Sequence, residues 1–346
     1  MRIIMFFIFA FSLLESSKAT TSDVIKMATM TASCVRLVYP SYPYKSIEHL
    51  TKTLSSVRDC GVDVSFRESS VDLTVKPPYS HTHEMRAREV IEAIEDQTPY
   101  IWAAAGGSGA LQVVSEIERM GYRPTKEFGK LIGFSDATHL HALWATWRGI
   151  SYHAPDAGLV KETDIHGIGI NTGTTLKEMT DIIKGSTPNV RYDFRLLSEP
   201  SSSTDLISGS FIGGNAQLLV EIQGSGTRID PRGKFVFLED VASDSETDYL
   251  QRRLTALRRQ GLFTDARAIF FGNLLVGKDG FDSTKDIGAI REFIQSDLLP
   301  NGINIPVLYS NEFGHGDKNR VLPFGTKATL ALTKPVTVDV STTEPF

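Results

Sequence analysis

Tyr100-Ile101-Trp102-Ala103-Ala104-Ala105-Gly106-Gly107-Ser108-Gly109-Ala110-Leu111 is the stretch whose reading decides the fold. Tyr100–Ala104 is apolar and reads as a buried strand, glycines break the run, and a helix is expected from about Ala110 to Met120. A strand, a glycine turn and a helix in succession are the unit of a parallel sheet covered by helices. The same alternation extends in both directions. Upstream, Cys34–Val38 reads as a strand, Lys45–Cys60 as a helix stopped by Gly61, and Val62–Phe66 as a second strand. Thr82–Asp96 reads as a helix with Glu89, Glu92 and Glu95 facing water and Val90, Ile91 and Ile94 facing inward. Downstream, Leu131–Phe134 and Ile150–His153 continue the strand series, with a helix between them.

A polar stretch at Ser198–Asp205 has the composition of a linker. After it come an expected helix at Asn215–Gln223, strands at Lys234–Leu238 and Ala268–Phe271, and a helix at Ser245–Gln260 with acidic residues at its start and Arg258-Arg259 at its end. From Ile305 to the terminus the chain is rich in Val, Thr and Pro and reads as β structure. Met1-Arg2, the apolar run Ile3–Leu14 and the small residues Ser17 and Ala19 form the pattern of a cleavable export signal. The expected organisation is therefore a signal peptide over 1–19, a first domain over 20–170, a linker over 171–207 and a second domain over 208–346. A secreted or periplasmic location follows from the signal.

The chain of 346 residues carries 36 basic and 41 acidic residues, so no basic excess exists to bind nucleic acid. No apolar run reaches the about 18 residues that a membrane span needs. Cys34 and Cys60 cannot build a disulfide framework or a four-thiolate zinc site, and two buried free thiols are expected. His81-x-His83 and His139-x-His141 have metal-ligand spacing but lack a third converging ligand, so neither a metal nor another cofactor is expected.

Gly106-Gly107-Ser108-Gly109-Ala110 leaves three readings open: a phosphate cradle without the P-loop lysine, a nucleophile elbow in the pattern Gly106-x-Ser108-x-Ala110, or a structural turn. Phe211-Ile212-Gly213-Gly214-Asn215 repeats the theme, with Asn215 as a helix cap. Phe237-Leu238-Glu239-Asp240 sets two carboxylates at the end of a buried strand, and Gly314-His315-Gly316 holds a histidine in a glycine frame.

These segments together resemble the LD-carboxypeptidase family, serine peptidases that include muropeptide LD-carboxypeptidases and microcin C7 immunity proteins. The resemblance rests on Ile101–Ala104 with Gly106-Gly107-x-Gly109, Leu131-Ile132-Gly133-Phe134-Ser135-Asp136 with Leu140-His141, Gly213-Gly214-Asn215, Phe237–Val241, Gly314-His315, and Leu322-Pro323-x-Gly325. It covers residues 33–330 and implies an α/β protein: a flavodoxin-like N-terminal domain with a parallel sheet, and a C-terminal mixed α/β domain. It further implies a Ser–Glu–His triad, with Glu239 as the glutamate and His315 as the histidine. Backbone N–H groups of Gly107 and Leu111 would form the oxyanion hole. The implied partner is a muropeptide-like peptide cut at an L–D amide bond, and the implied assembly is a homodimer that needs no metal.

The nucleophile does not carry over. With Gly106, Gly107 and Gly109 in register, the family serine falls on Ala110, and the family arginine two residues later is Gln112. Three functions remain on sequence grounds. One is a hydrolase in which Ser108 serves as fallback nucleophile, against which stands its two-residue displacement along the turn. Another is a catalytically inactive secreted homologue that binds muropeptide-like ligands. The third is a dinucleotide-binding oxidoreductase, which rests on the glycines alone.

Overall fold

The computed structural model describes residues 34–43, 47–66, 79–157, 172–200 and 205–346. The expected signal peptide lies outside them. Eleven strands form one continuous sheet: β1 (Val35–Val38), β2 (Val64–Phe66), β3 (Tyr100–Ala103), β4 (Lys130–Gly133), β5 (Ser151–His153), β6 (Arg195–Ser198), β7 (Phe211–Asn215), β8 (Phe235–Glu239), β9 (Ala268–Phe271), β10 (Val307–Tyr309) and β11 (Leu322–Phe324). Their order is β2-β1-β3-β4-β5-β11-β7-β8-β9-β10-β6. The first five strands are parallel in the flavodoxin-like order 2-1-3-4-5. At the seam β11 runs antiparallel to β5, with Leu322 opposite His153, and parallel to β7. β7, β8, β9 and β10 are again parallel, so the second half is its own α/β unit joined edge to edge to the first.

The helices are α1 (Ile47–Asp59), α2 (His83–Glu95), α3 (Ala110–Arg119), α4 (Thr138–Thr146), α5 (Thr172–Ile183), α6 (Ala216–Ile222), α7 (Thr247–Arg259) and α8 (Ser283–Phe293). α2, α3 and α4 cover one face of the first half through Val90, Val113, Ile117, Leu140 and Trp144. α6, α7 and α8 cover one face of the second through Leu219, Leu250, Leu254, Leu257 and Ile290. The opposite face of the second half is covered by a four-stranded sheet of 189–193, 206–209, 326–331 and 337–345. Alternation along β8 sends Val236 and Leu238 toward the helices and Phe235 and Phe237 toward that sheet. Glu239, next in phase, shares the side of Phe237.

Segment 171–207, expected as a linker, holds α5, the strand Asn189–Asp193 and β6, so most of its described residues are built into the fold. Its serine-rich composition was a poor guide outside the short polar run. Glu89, expected on the wet face of α2, is 3% exposed and accepts a hydrogen bond from Tyr39 N at 3.1 Å. The helical pattern misplaced it because its partner comes from a loop distant in sequence. Cys34 and Cys60 are both free thiols, but each is only partly buried rather than buried as expected, because both stand at the ends of their elements. Among the described residues no helix is long and apolar enough to cross a membrane.

Arg86 on α2 ties the glycine turn to the first strand. Buried, it donates to the carbonyls of Pro40, His81 and Gly109 and contacts His83. Gly109 leaves the space: a Cβ there would sit 2.7 Å from the Arg86 guanidinium. Replacing Arg86 by Met strands buried carbonyls without donors. Urea unfolding of Arg86→Met is expected to show a loss of about 3 kcal/mol with an unchanged m-value.

Candidate active site

Glu239 ends β8, fully buried, and meets His315 from the loop after β10. The distance from His315 Nδ1 to Glu239 Oε2 is 2.5 Å. Two glycines permit that approach. Gly314 has φ +98°, and a Cβ there would lie 3.0 Å from Glu239 Cβ; a Cβ on Gly316 would lie 2.5 Å from Asn273 Oδ1. Asn273 Oδ1 accepts from Gly316 N and Asn319 Oδ1 accepts from Gly314 N, each at 3.2 Å, so the loop is pinned on both sides of the imidazole. Sequence reasoning missed both asparagines, which lie in irregular segments with no periodic signal.

An ionised carboxylate can only accept, so Nδ1 carries the proton toward Glu239 and Nε2 is left as an acceptor. Nε2 faces Ser135 Oγ at 3.1 Å. Burial alone would push the imidazole down, but the Glu239 charge and hydrogen bond, with Asp240 behind them, leave His315 above its ordinary value. Burial likewise opposes ionisation of Glu239, yet the imidazole of His315, supported by His153 on its other side, holds the carboxyl down to about 2. His153 Nε2 lies 3.9 Å from Glu239 Oε1, too far for a hydrogen bond. The Phe134 ring packs against both imidazoles, 4.8 Å from His315 and 6.1 Å from His153 between centroids.

Neither residue named from the glycine turn occupies the histidine. Ser108 is exposed. Ala110 is fully buried at the first position of α3, and its N–H donates to Asp136 Oδ2 at 2.8 Å. Asp136 also accepts from Ser41 Oγ at 2.5 Å, so one carboxylate ties the turn after β3 to the turn after β4. Gly107 is exposed at φ +107° beneath the Tyr42 ring, and Leu111 is the second residue of α3. Ser135 stood in the sequence only as part of a longer matching stretch. The available signal was Gly133-x-Ser135-x-Ala137, the same pattern as Gly106-x-Ser108-x-Ala110 one strand earlier.

The remaining candidates have structural duties. His141 donates from Nε2 to the Gly133 carbonyl and receives Ser151 Oγ at Nδ1, both at 2.8 Å, and burial beside His153 pushes it down to about 3. It is a neutral brace between β4, β5 and α4. His139 faces Glu221 at 3.6 Å, and His83 contacts Arg86. Asn215 caps α6, accepting from Leu218 N at 3.3 Å, while its own N–H donates to Thr138 Oγ1 at 3.0 Å. Among the described residues no group of three His, Cys, Asp or Glu side chains converges as a metal site would require.

Asp156 lies under the glycine turn, buried, accepting from Phe134 N at 3.4 Å. Burial, with Asp136 nearby adding to it, raises its carboxyl well above the ordinary value despite backbone donors at Phe134 and Gly106. A raised folded value contributes stability below the unfolded pKa that is lost as pH rises toward the folded one. Asparagine reproduces the protonated acid without that loss. Thermal melts should therefore show Asp156→Asn gaining Tm over the parent as pH rises from 4 to 8; a gap that closes with rising pH would contradict the assignment.

The sequence matches the LD-carboxypeptidase N-terminal domain over residues 35–154 and the LD-carboxypeptidase C-terminal domain over residues 208–330. A Rickettsia conorii protein named as a carboxypeptidase is 29% identical over 288 residues, 82% of this chain and 84% of its own. A Bacillus subtilis protein named as a murein peptide carboxypeptidase is 27% identical over 246 residues, 68% of this chain and 70% of its own. In fold, the chain is similar to the muramoyltetrapeptide carboxypeptidase of Oxalobacter formigenes, with a TM-score of 0.66, 19% identity, and coverage of 88% of this chain and 99% of the other.

Proposed function

Because the chain belongs to the LD-carboxypeptidase family, we propose that it hydrolyses the L–D amide bond of muropeptide-like peptides and releases a C-terminal D-residue. The observation that carries this reading is the buried pair of His315 and Glu239, 2.5 Å apart, with the second imidazole nitrogen turned to a serine hydroxyl. That is the base and its orienting partner of a serine-type acyl transfer. The names of the curated relatives support a cell-wall peptide as substrate. In the family pattern the backbone N–H groups of Gly107 and Leu111 would hold the oxyanion. The export signal expected over Met1–Ala19 supports action outside the cytoplasm, where cell-wall peptides are met.

A second reading follows from the register expected for the glycine turn, in which the family serine falls on position 110: that residue is Ala110, whose methyl cannot attack a carbonyl. On that reading the protein binds the peptide without cutting it. Incubation of the purified protein with a murein tetrapeptide, followed by mass spectrometry, separates the two: tripeptide and free D-alanine for the hydrolase, unchanged tetrapeptide with calorimetric binding for the binder.

His315 must be neutral to accept a proton, so kcat/KM is expected to rise with pH through a value above the ordinary 6.5 of histidine. Glu239→Gln removes the charge that raises it and leaves burial to push it down. The acid limb then moves to lower pH while kcat falls about 10³- to 10⁴-fold. An unmoved acid limb in Glu239→Gln would assign the titration to another group.

A further inference from the structure

We propose that His153 is a positioning residue for this site: a neutral imidazole that turns its Nε2–H to the buried Oε1 of Glu239 and keeps that carboxylate ionised while His315 is uncharged. Its consequence for catalysis rests on the hydrolase reading above; the contact itself rests on geometry.

Glu239 has two oxygens to satisfy. Oε2 takes the Nδ1 proton of His315 at 2.5 Å, while Oε1 has no hydrogen-bond partner among the described residues. A buried carboxylate oxygen left in that state is costly. Beside it, at 3.9 Å, lies Nε2 of His153, an imidazole that is also wholly buried and has neither nitrogen hydrogen-bonded. An acceptor without a donor thus faces a ring that can donate. His153 closes β5 in mid-sheet, opposite Gly133 on β4 and Leu322 on β11, so neighbouring strands on both sides fix its backbone. Phe237, Phe324, Phe134 and His141 surround the ring at 5.0, 5.8, 6.1 and 6.1 Å between centroids. The three phenyl rings offer no acceptor, and both nitrogens of His141 are committed to Gly133 and Ser151.

The same surroundings set the protonation. A proton on Nδ1 alone would aim the Nε2 lone pair at a carboxylate, acceptor against acceptor. Protons on both nitrogens would strand a buried N–H and place a charge beside His141. One proton on Nε2 avoids both. At 3.9 Å the N–H dipole points at the carboxylate in surroundings that screen it weakly, and a movement of about 1 Å makes a hydrogen bond.

The contact matters most in the state in which the base works. With His315 protonated, Glu239 has an opposite charge against Oε2. With His315 neutral, that charge is gone. Among the described residues no lysine or arginine pairs with Glu239, since Arg253 is held by Asp240 at 3.0 Å, and burial keeps His141 neutral. A buried anion without a partner is the expensive case, and the N–H of His153 offsets that cost. Without it, His315 should keep its proton to higher pH, because the proton then spares the pair a bare anion. A ring that only filled space would leave that titration where it is.

Two measurements on the full chain test the assignment. In the first, multiple-bond nitrogen–proton spectra are recorded on protein with labelled histidine, and His153 is identified by the signals lost in His153→Gln. A neutral ring protonated on Nε2 is expected; an Nδ1–H ring or an imidazolium at neutral pH overturns the proposal. The same spectra follow His315, whose midpoint should rise by about one pH unit in His153→Leu and stay near the parent value in His153→Gln, which keeps a donor at the place of Nε2. An unmoved midpoint in His153→Leu, or equal shifts in both variants, also overturns it. Should His153→Leu fail to fold, His153→Phe supplies a donor-free side chain for the same comparison.

In the second, tetrapeptide hydrolysis is read against pH. On the acid limb kcat/KM of His153→Leu should lie about tenfold below the parent, and the deficit should close as pH rises, with His153→Gln following the parent. The limb thus moves upward, opposite to its displacement in Glu239→Gln. A deficit that is equal at every pH, or no deficit, overturns the positioning role and leaves the hydrolase reading standing. A parent that leaves the tetrapeptide uncut sinks that substrate reading, and the spectra then decide the contact by themselves.

Discussion

A carboxylate with no exposed surface, Glu239, sits against an imidazole that is itself almost wholly buried, and much of the second half of the molecule is arranged around keeping those two groups together. An ionised carboxylate out of water is tolerated only when paired, and breaking such a pair costs about 3–5 kcal/mol. The chain meets this requirement by backbone means. Strand alternation puts Glu239 in phase with Phe237, which packs on His153 at 5.0 Å between ring centroids. Gly314 and Gly316 bring the loop close enough, and two asparagine side chains bond its N–H groups on either side of the histidine. The imidazole therefore has one orientation and one tautomer before any substrate arrives, which is the preorganisation that acyl transfer demands.

The pair is only part of a site, because the group facing its free nitrogen comes from the other half of the chain. Ser135 follows β4, whereas Glu239 and His315 follow β8 and β10. Their relative placement depends on the seam where β5 meets β11, on the Thr138–Asn215 hydrogen bond, and on Tyr152 OH donating to the Thr342 carbonyl at 2.6 Å. A continuous sheet is a stiffer connection than a tether, and stiffness matters where a tolerance of roughly 0.5 Å separates a productive triad from an idle one. The segment around residues 172–198, folded into a helix and strands rather than left as a linker, belongs to the same solution.

Much of this was legible beforehand. Alternating β-rich and amphipathic runs located most elements within a few residues, and the motifs carrying Glu239 and His315 stood out because glycines and paired carboxylates at strand ends are unusual. Failures came where a property depends on contacts distant in sequence. Glu89 obeys the helical pattern of a solvated residue but is claimed by Tyr39 N. α8 was missed, its weak amphipathic signal hidden among glycines and acids. Ser135 was quoted but not singled out, since a left-handed φ leaves no mark on composition and only the first of the two Gly-x-Ser-x-Ala segments was read as an elbow. What separates them in three dimensions is that Ser108 is exposed on its turn, while Ser135 abuts the histidine.

The two turns at the head of the first half are built as one unit. β3 and β4 are parallel neighbours in register, Trp102 opposite Ile132. The turns that follow them are joined by Asp136, which accepts from Ala110 N and from Ser41 Oγ. Gly106 on the first turn leaves room for the second, since a Cβ there would come 3.5 Å from Ser135 Cβ. The hydroxyl that faces the imidazole is therefore placed by two strands rather than one. A Glu239–His315 pair held dry and doubly pinned against that hydroxyl is costly to maintain, and a protein with no use for a general base would have no functional reason to hold it so.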